Sequence, residues 1–498
     1  MLFKNEAVKE LIEKYRVLWA LSHAISLLSW DTETYMPKSG IEERSIAVSE
    51  LVALRHRLLL SEELGKVVDK ASAEEALNNY EAGVVRVVKR EIKIAKALPE
   101  RLVKELAKVT EEARVVWREA KEKDNFEMFK PYLERIVKLN QEKAEYLGYD
   151  ENPYDALLDL YEEGLKTRDV KEIFDYIGPE IKRILNRVLD EGYYPRKHEL
   201  EDVKYDVKAM EKVNNEVLRV FGYPFDKARL DISAHPFTIN MGIFDVRITT
   251  RYEGFDFKRS LLSVVHEFGH ALYELQVDER LKATPLAGGV SLGIHESQSR
   301  FWENIIGRSR EFIEAIYPIM SKELSFLKKY SPEDVYRYFN VVTPSFIRTE
   351  ADEVTYNLHI LLRFHIELQL INNELKVSDV PESWNSLMEE YLGIRPKTYR
   401  EGVLQDIHWS LGDIGYFPTY TLGNIISAQI LYHILRDIPD FYEKISNLEF
   451  SDIKSYLREK IHKWGSTYQP KELLRKSFNE EINSSHFIKY LENKYLKH

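Results

Sequence analysis

The 498-residue chain contains no cysteine, which excludes disulfides, thiolate metal ligands and a cysteine nucleophile together. It also lacks an excess of positive charge: 71 Lys and Arg stand against 82 Asp and Glu, a net charge of -11. With no dense basic patch, nucleic acid is not expected as a partner. Long apolar runs are missing too. The most apolar windows, Val17 to Trp30 and Tyr420 to Leu435, are too short or too polar to span a bilayer and read as buried helices, so no membrane partner is expected. Near the N-terminus, Lys4, Glu6, Lys9, Glu10, Glu13, Lys14 and Arg16 interrupt any apolar core of a signal peptide, and the expected location is cytoplasmic. The interspersed Glu and Lys describe a well-solvated surface. Together with the missing cysteine, they fit a protein that survives heat.

Present instead is an almost unbroken helical pattern from Phe3 to about Leu218, punctuated by Pro99, Gly148, Pro153, Gly178-Pro179 and Gly192 and free of low-complexity linkers. Helical hairpins packed side by side grow into one body, so the expected fold is mainly α, a single domain over 1–498. The exception is Arg229 to Tyr252, where Ile232, Phe237, Ile239, Ile243, Val246, Ile248 and Thr250 partly alternate among turn residues. That stretch predicts a small β-sheet directly before the most informative motif. Strands so placed can offer unpaired backbone groups to an extended peptide.

The motif is Val265-His266-Glu267-Phe268-Gly269-His270-Ala271. Two histidines four apart on a helix aim both imidazoles at one spot, and the intervening Glu267 projects close by without having to be a ligand. Arg259 to Leu275 has no proline, and Leu261, Leu262, Val265, Phe268, Leu272 and Leu275 recur at helical spacing, so the helix is expected. A catalytic divalent metal wants a third protein ligand and an open position. The segment Gly293 to Arg300 supplies Glu296, which the Gly288-Gly289 turn can bring back to the metal. His295 competes for that place, but neighbours on a helix point about a third of a turn apart, so only one can face the ion. The implied chemistry is metal-assisted hydrolysis: the cation lowers the pKa of a bound water from about 16 towards about 7. Glu267 then acts as general base and afterwards as general acid.

Around this motif stand further blocks: His235-Pro236-Phe237, Asp245-Val246-Arg247-Ile248-Thr249, His295-Glu296-Ser297-Gln298, Ile347-Arg348-Thr349-Glu350-Ala351-Asp352, and Gly402 to Trp409 with Gln405, Asp406 and His408. In content and order they resemble the thermostable metallocarboxypeptidases of the carboxypeptidase Taq family. The resemblance implies a neurolysin-like helical body with two lobes around a deep groove, the N-terminal helical lobe at about 1–228 and the metal-bearing catalytic half at about 229–498. It implies one Zn2+ or Co2+ per subunit, a homodimer, and removal of single residues from peptides with a free C-terminus, with broad side-chain tolerance. An oligopeptidase or dipeptidyl carboxypeptidase with the same metal set is the nearest alternative.

A carboxypeptidase must grip a terminal carboxylate, and a planar guanidinium does so with two parallel hydrogen bonds. Arg348, in a region expected to be helical from Ala351 to Leu370, is the first candidate and Arg247 the second. Either could be an internal ion pair instead, Arg348 with Glu350 or Asp352 and Arg247 with Asp245. His408, Tyr420 and Tyr416 are candidate donors to the tetrahedral oxyanion. His235 either lines the substrate pocket, supports the metal site or fixes a turn. Gln405 and Asp406 are read as supports for His408 or for the bound peptide.

Overall fold

A computed structural model describes residues 2–497. The chain is mainly α, with one three-stranded sheet, and it folds into two compact units. The first comprises Met1–Lys96, Glu199–Phe339 and Ile430–Ile482; the second comprises Ala97–His198, Asn340–Gln429 and Asn483–His498. Both units therefore draw on residues before and after 228, whereas the sequence reading places a lobe boundary there. Amphipathic periodicity shows that a helix has a buried face but not which distant segment covers it.

In the first unit, helix Glu6–Thr34 starts at Asn5, whose side chain accepts from the Ala7 and Val8 N–H groups and so satisfies two donors that a helix start leaves open. Its apolar face, including Val8, Leu11 and Leu18, packs with Val67 and Val68 of helix Glu62–Ser72 and with Val84 and Val88 of helix Asn79–Ala97. The sheet falls where alternation predicts it: β1 (Ala228–Ile232), β2 (Thr238–Gly242) and β3 (Asp245–Thr250). Their order is β1-β3-β2, with β1 parallel and β2 antiparallel to β3 and an irregularity between Asn240 and Gly242. β3 lies against helix Phe257–Leu275, which follows it in the chain.

The second unit is built around helix Tyr356–Ile371, buried on nearly every side. Helices Phe126–Leu147, Pro153–Asp159, Thr167–Glu191 and Val380–Leu392 pack against it. Among the described residues no helix is long and apolar enough to cross a membrane.

Candidate active site

Helix Phe257–Leu275 carries the motif and is seated from behind by aromatic rings. Phe268 lies 4.8 Å from Trp302 and 4.9 Å from Phe221 between ring centroids. Burial of such rings gives both apolar contact and a preferred geometry. Gly269 sets the approach of the next element: a Cβ there would lie 2.5 Å from the Gln298 carbonyl oxygen and 2.6 Å from Ser299 Cα. Only glycine lets helix Leu292–Arg300, capped by the Ser291 side chain, come so close to the motif helix. That contact delivers Glu296.

The result is a convergence of three ligand atoms, from His266, His270 and Glu296, all within 4.8 Å of one another. Glu296 Oε2 lies 3.7 Å from His266 Nε2 and 3.4 Å from His270 Nε2. The remaining ring nitrogens are tied elsewhere. His266 Nδ1 lies 2.8 Å from Glu303 Oε2. His270 Nδ1 lies 2.7 Å from His295 Nδ1, and His295 Nε2 lies 2.7 Å from Glu274 Oε1. With protons on the Nδ1 atoms of His266 and His270 and on Nε2 of His295, every one of these contacts is a hydrogen bond and both ligand Nε2 lone pairs face the centre. This donor set fits a divalent cation such as zinc, with two imidazoles and a carboxylate as ligands and outer carboxylates fixing the tautomers. His295, the competing ligand candidate, instead bridges His270 to Glu274.

The three buried glutamates around the histidines do not share one acidity: Glu296 and Glu303 are lowered and Glu267 is raised. Burial alone would raise Glu296, but the Arg300 guanidinium and the two histidines hold it well below the usual carboxylate range. Glu303 is likewise buried, yet Arg300, His266 and Arg308 bring it down to about 2. Burial raises Glu267, only partly offset by His266 and by a hydrogen bond from Thr238; Thr238 Oγ1 donates to Glu267 Oε2 at 2.6 Å. Burial brings His270 down to about 4. His266 is raised, because Glu296 and Glu303 outweigh the cost of burying its charge.

Glu303, Glu274, Arg300 and Thr238 were not singled out in the sequence. The signal was present for three of them. Glu274 continues the His266, His270 spacing by another four residues, while Arg300 and Glu303 follow Glu296 by four and seven, on the same helical face.

Elsewhere in the first unit, the His-Pro-Phe and Asp-x-Arg-x-Thr blocks are joined to each other. Ser233 Oγ lies 2.6 Å from both the His235 carbonyl oxygen and Thr249 Oγ1, and the Phe237 N–H donates to Thr249 Oγ1 at 3.0 Å. The His235 side chain is exposed, on the connection between β1 and β2. Arg247 makes a two-pronged pair with Asp245, at 2.8 Å for each bond, and its guanidinium lies 4.2 Å over the Trp30 ring.

The second unit assembles the remaining candidates. Arg348 is buried; its Nε donates to Asp406 Oδ1 at 3.0 Å and its Nη1 to the Tyr356 hydroxyl at 2.9 Å. Arg363 Nε donates to the other Asp406 oxygen at 2.7 Å, and Gln405 Oε1 accepts from the Arg348 backbone N–H and from Arg363 Nη2, both at 2.8 Å. Gln405 and Asp406 thus hold two arginines. Asp406, despite burial, is held far below the carboxylate range by both guanidiniums. Arg348 also lies 5.1 Å from the Tyr420 ring centroid. His408 Nε2 lies 3.2 Å from the Tyr420 hydroxyl, and the Tyr416 ring is 5.3 Å from both His408 and Tyr420. Burial and the nearby arginines bring His408 down to about 4 against the pull of Asp406, so at neutral pH it is uncharged and carries one N–H. The structure brings Arg348, His408, Tyr416 and Tyr420 together in one cluster.

Comparison with known proteins agrees with the blocks. The family profile of the carboxypeptidase Taq (M32) metallopeptidases matches residues 10–495. The chain is 58% identical over 495 residues to thermostable carboxypeptidase 1 of Pyrococcus furiosus, covering 99% of each chain. It is 37% identical to carboxypeptidase 1 of Bacillus subtilis, covering 98% of this chain and 97% of that one. A solved structure of Pyrococcus furiosus carboxypeptidase superposes with a TM-score of 0.99 at 57% identity, over 99% of this chain and 100% of that one.

Proposed function

We propose, from the premise that this chain belongs to the carboxypeptidase Taq (M32) metallopeptidases and is a metallocarboxypeptidase, that it removes single residues from peptides with a free C-terminus. In this reading His266, His270 and Glu296 hold one divalent cation, zinc or cobalt, and Glu267 moves the protons. The observation that carries it is the convergence of those three ligand atoms beside a separate, buried Glu267 of raised pKa. These three residues would hold a divalent cation, which would supply Lewis-acid chemistry towards the scissile carbonyl and a water molecule. Glu267 accepts the water proton and delivers it to the departing amine nitrogen. Thr238, donating to Oε2, orients the carboxylate for both transfers.

For the terminal carboxylate the reading favours Arg348 over Arg247. Arg348 and Arg363 share the single Asp406 carboxylate, so that cluster keeps one uncompensated positive charge. Arg247 has Asp245 to itself and is stacked on Trp30. Tyr420, with Tyr416 next to it and His408 in hydrogen-bond reach, is assigned as donor to the oxyanion. His235, exposed on the connection between β1 and β2, is assigned to substrate binding. The homodimer, the cytoplasmic setting and heat tolerance belong to the same proposal.

A mass-spectrometric time course on one peptide, with free and with amidated C-terminus, tests the reading on protein reloaded with zinc or cobalt. Loss of one residue per step, only from the free terminus and only with metal, is expected. Dipeptides or internal fragments would move the assignment to a dipeptidyl carboxypeptidase or an oligopeptidase.

A further inference from the structure

Helix Tyr356–Ile371 carries a buried acid that the catalytic reading does not use. Glu367 is fully buried and accepts three hydrogen bonds, two from the stretch 409–415 and one from the helix Pro153–Asp159. Trp409 Nε1–H donates to Oε1 at 2.8 Å, while the Tyr154 hydroxyl at 2.7 Å and the Gly415 backbone N–H at 2.9 Å donate to Oε2. None of the three donors is a cation. Burying a carboxylate on neutral donors alone is costly, and burial pushes this carboxyl up to about 7.

Two of the donors adjoin residues of the proposed chemistry. Trp409 follows His408 directly, and Gly415 directly precedes Tyr416. Gly415 has φ +93, and a Cβ there would lie 2.9 Å from the Leu157 carbonyl carbon, so only glycine lets the chain pass this point with its N–H turned to Glu367. One carboxylate therefore pins both ends of the segment 409–415, and His408 and Tyr416 flank it.

We propose that Glu367 is a positioning residue for the reaction, a buried clamp that fixes His408 on one side and the Tyr416–Tyr420 turn on the other in their donor geometry. The proposal rests on the assignment of His408, Tyr416 and Tyr420 given above. An amide in place of the carboxylate has a single acceptor oxygen and cannot receive donors on both sides, so Glu367→Gln must break at least one arm. Trp409→Phe removes one arm more gently: an aromatic ring stays against Trp384, which the indole meets edge-on at 5.8 Å, while the N–H and part of the ring volume are lost.

The test is steady-state kinetics on the metal-loaded full chain for Glu367→Gln, Trp409→Phe, His408→Ala and the double variant Glu367→Gln/His408→Ala. If the clamp acts through the donors, Glu367→Gln lowers kcat about ten-fold or more with KM within about two-fold, and Trp409→Phe moves the same way. The double variant is then no more than about two-fold slower than His408→Ala alone, since residues that act as a unit are not additive. Unchanged kcat in both Glu367→Gln and Trp409→Phe would overturn the proposal, as would fully additive losses in the double variant. If His408→Ala itself keeps wild-type kcat, the donor assignment falls and the clamp with it. If Glu367→Gln fails to fold, the kcat of Trp409→Phe decides alone.

Discussion

Glu303 offers a prediction that can be worked from the structure. Its Oε2 faces His266 Nδ1 at 2.8 Å and Arg300 Nη1 at 3.2 Å, and its Oε1 faces Arg308 Nη2 at 3.3 Å. In Glu303→Gln the amide has two choices, and both are poor. With its oxygen towards His266, the NH2 group points at the Arg308 donor and two donors collide. With its NH2 towards His266, Nδ1 must accept, the ring proton moves to Nε2, and the nitrogen meant for the cation is blocked. Partners of this kind typically contribute 10–100-fold in metal affinity, or about 1.4–2.8 kcal/mol. The assay is competition for zinc between metal-free protein and a chromogenic chelator, wild type against Glu303→Gln, with circular dichroism to confirm the fold. A weakening of at least about ten-fold is expected. A dissociation constant within about two-fold of wild type, in a folded variant, would refute the tautomer argument.

Arg348→Ala should lose the preference for free over amidated C-termini and weaken kcat/KM on free-terminus peptides by the equivalent of about 2–5 kcal/mol; if the preference survives, Arg247→Ala is the next variant to measure. Tyr420→Phe should lower kcat by about 10²–10³, and an unchanged rate on the same peptide would remove Tyr420 from the oxyanion role. Stability should also depend on pH through Glu367. Its folded pKa of about 7 stands above the ordinary 4.5, so its contribution is fully present below about 4.5 and is lost as pH rises through about 7, a change of about 3 kcal/mol. In urea titrations of metal-free protein, Glu367→Gln should therefore gain on wild type by that order between pH 4.5 and 7.5. A difference that stays constant across this range would contradict the burial argument.

Much of the fold was legible because it is written in local pattern. The helical run of the N-terminal half, the sheet between Arg229 and Tyr252, and the helix under His266 and His270 each follow from spacing and turn residues alone. The helix expected from Ala351 to Leu370 lies at Tyr356–Ile371; Asp352 accepts from the Val354 and Thr355 N–H groups and holds the turn just before it. The two compact units were not legible, since Ala97–His198 joins Asn340–Gln429 through contacts that no periodicity encodes. In the site, residues sharing one helix could be grouped from sequence. Partners from distant segments could not: Asp406 with Arg348 and Arg363, Thr238 with Glu267, and Glu367 with Trp409 and Gly415 meet only in the folded chain. Gly269 is a middle case. Its place in the motif was plain, but its reason, the approach of Gln298 and Ser299, needed the second helix.

In the proposed reading one group of side chains holds the metal while Glu267, beside it, carries the protons. Glu267→Gln, loaded with zinc, assayed for bound metal and for release of C-terminal residues from the same sample, tests it most directly. One equivalent of metal is expected, as in the wild type, with turnover reduced by about 10²–10⁴. Wild-type turnover with metal bound would show that another group moves the proton, and loss of the metal would show that Glu267 belongs to the ligand set.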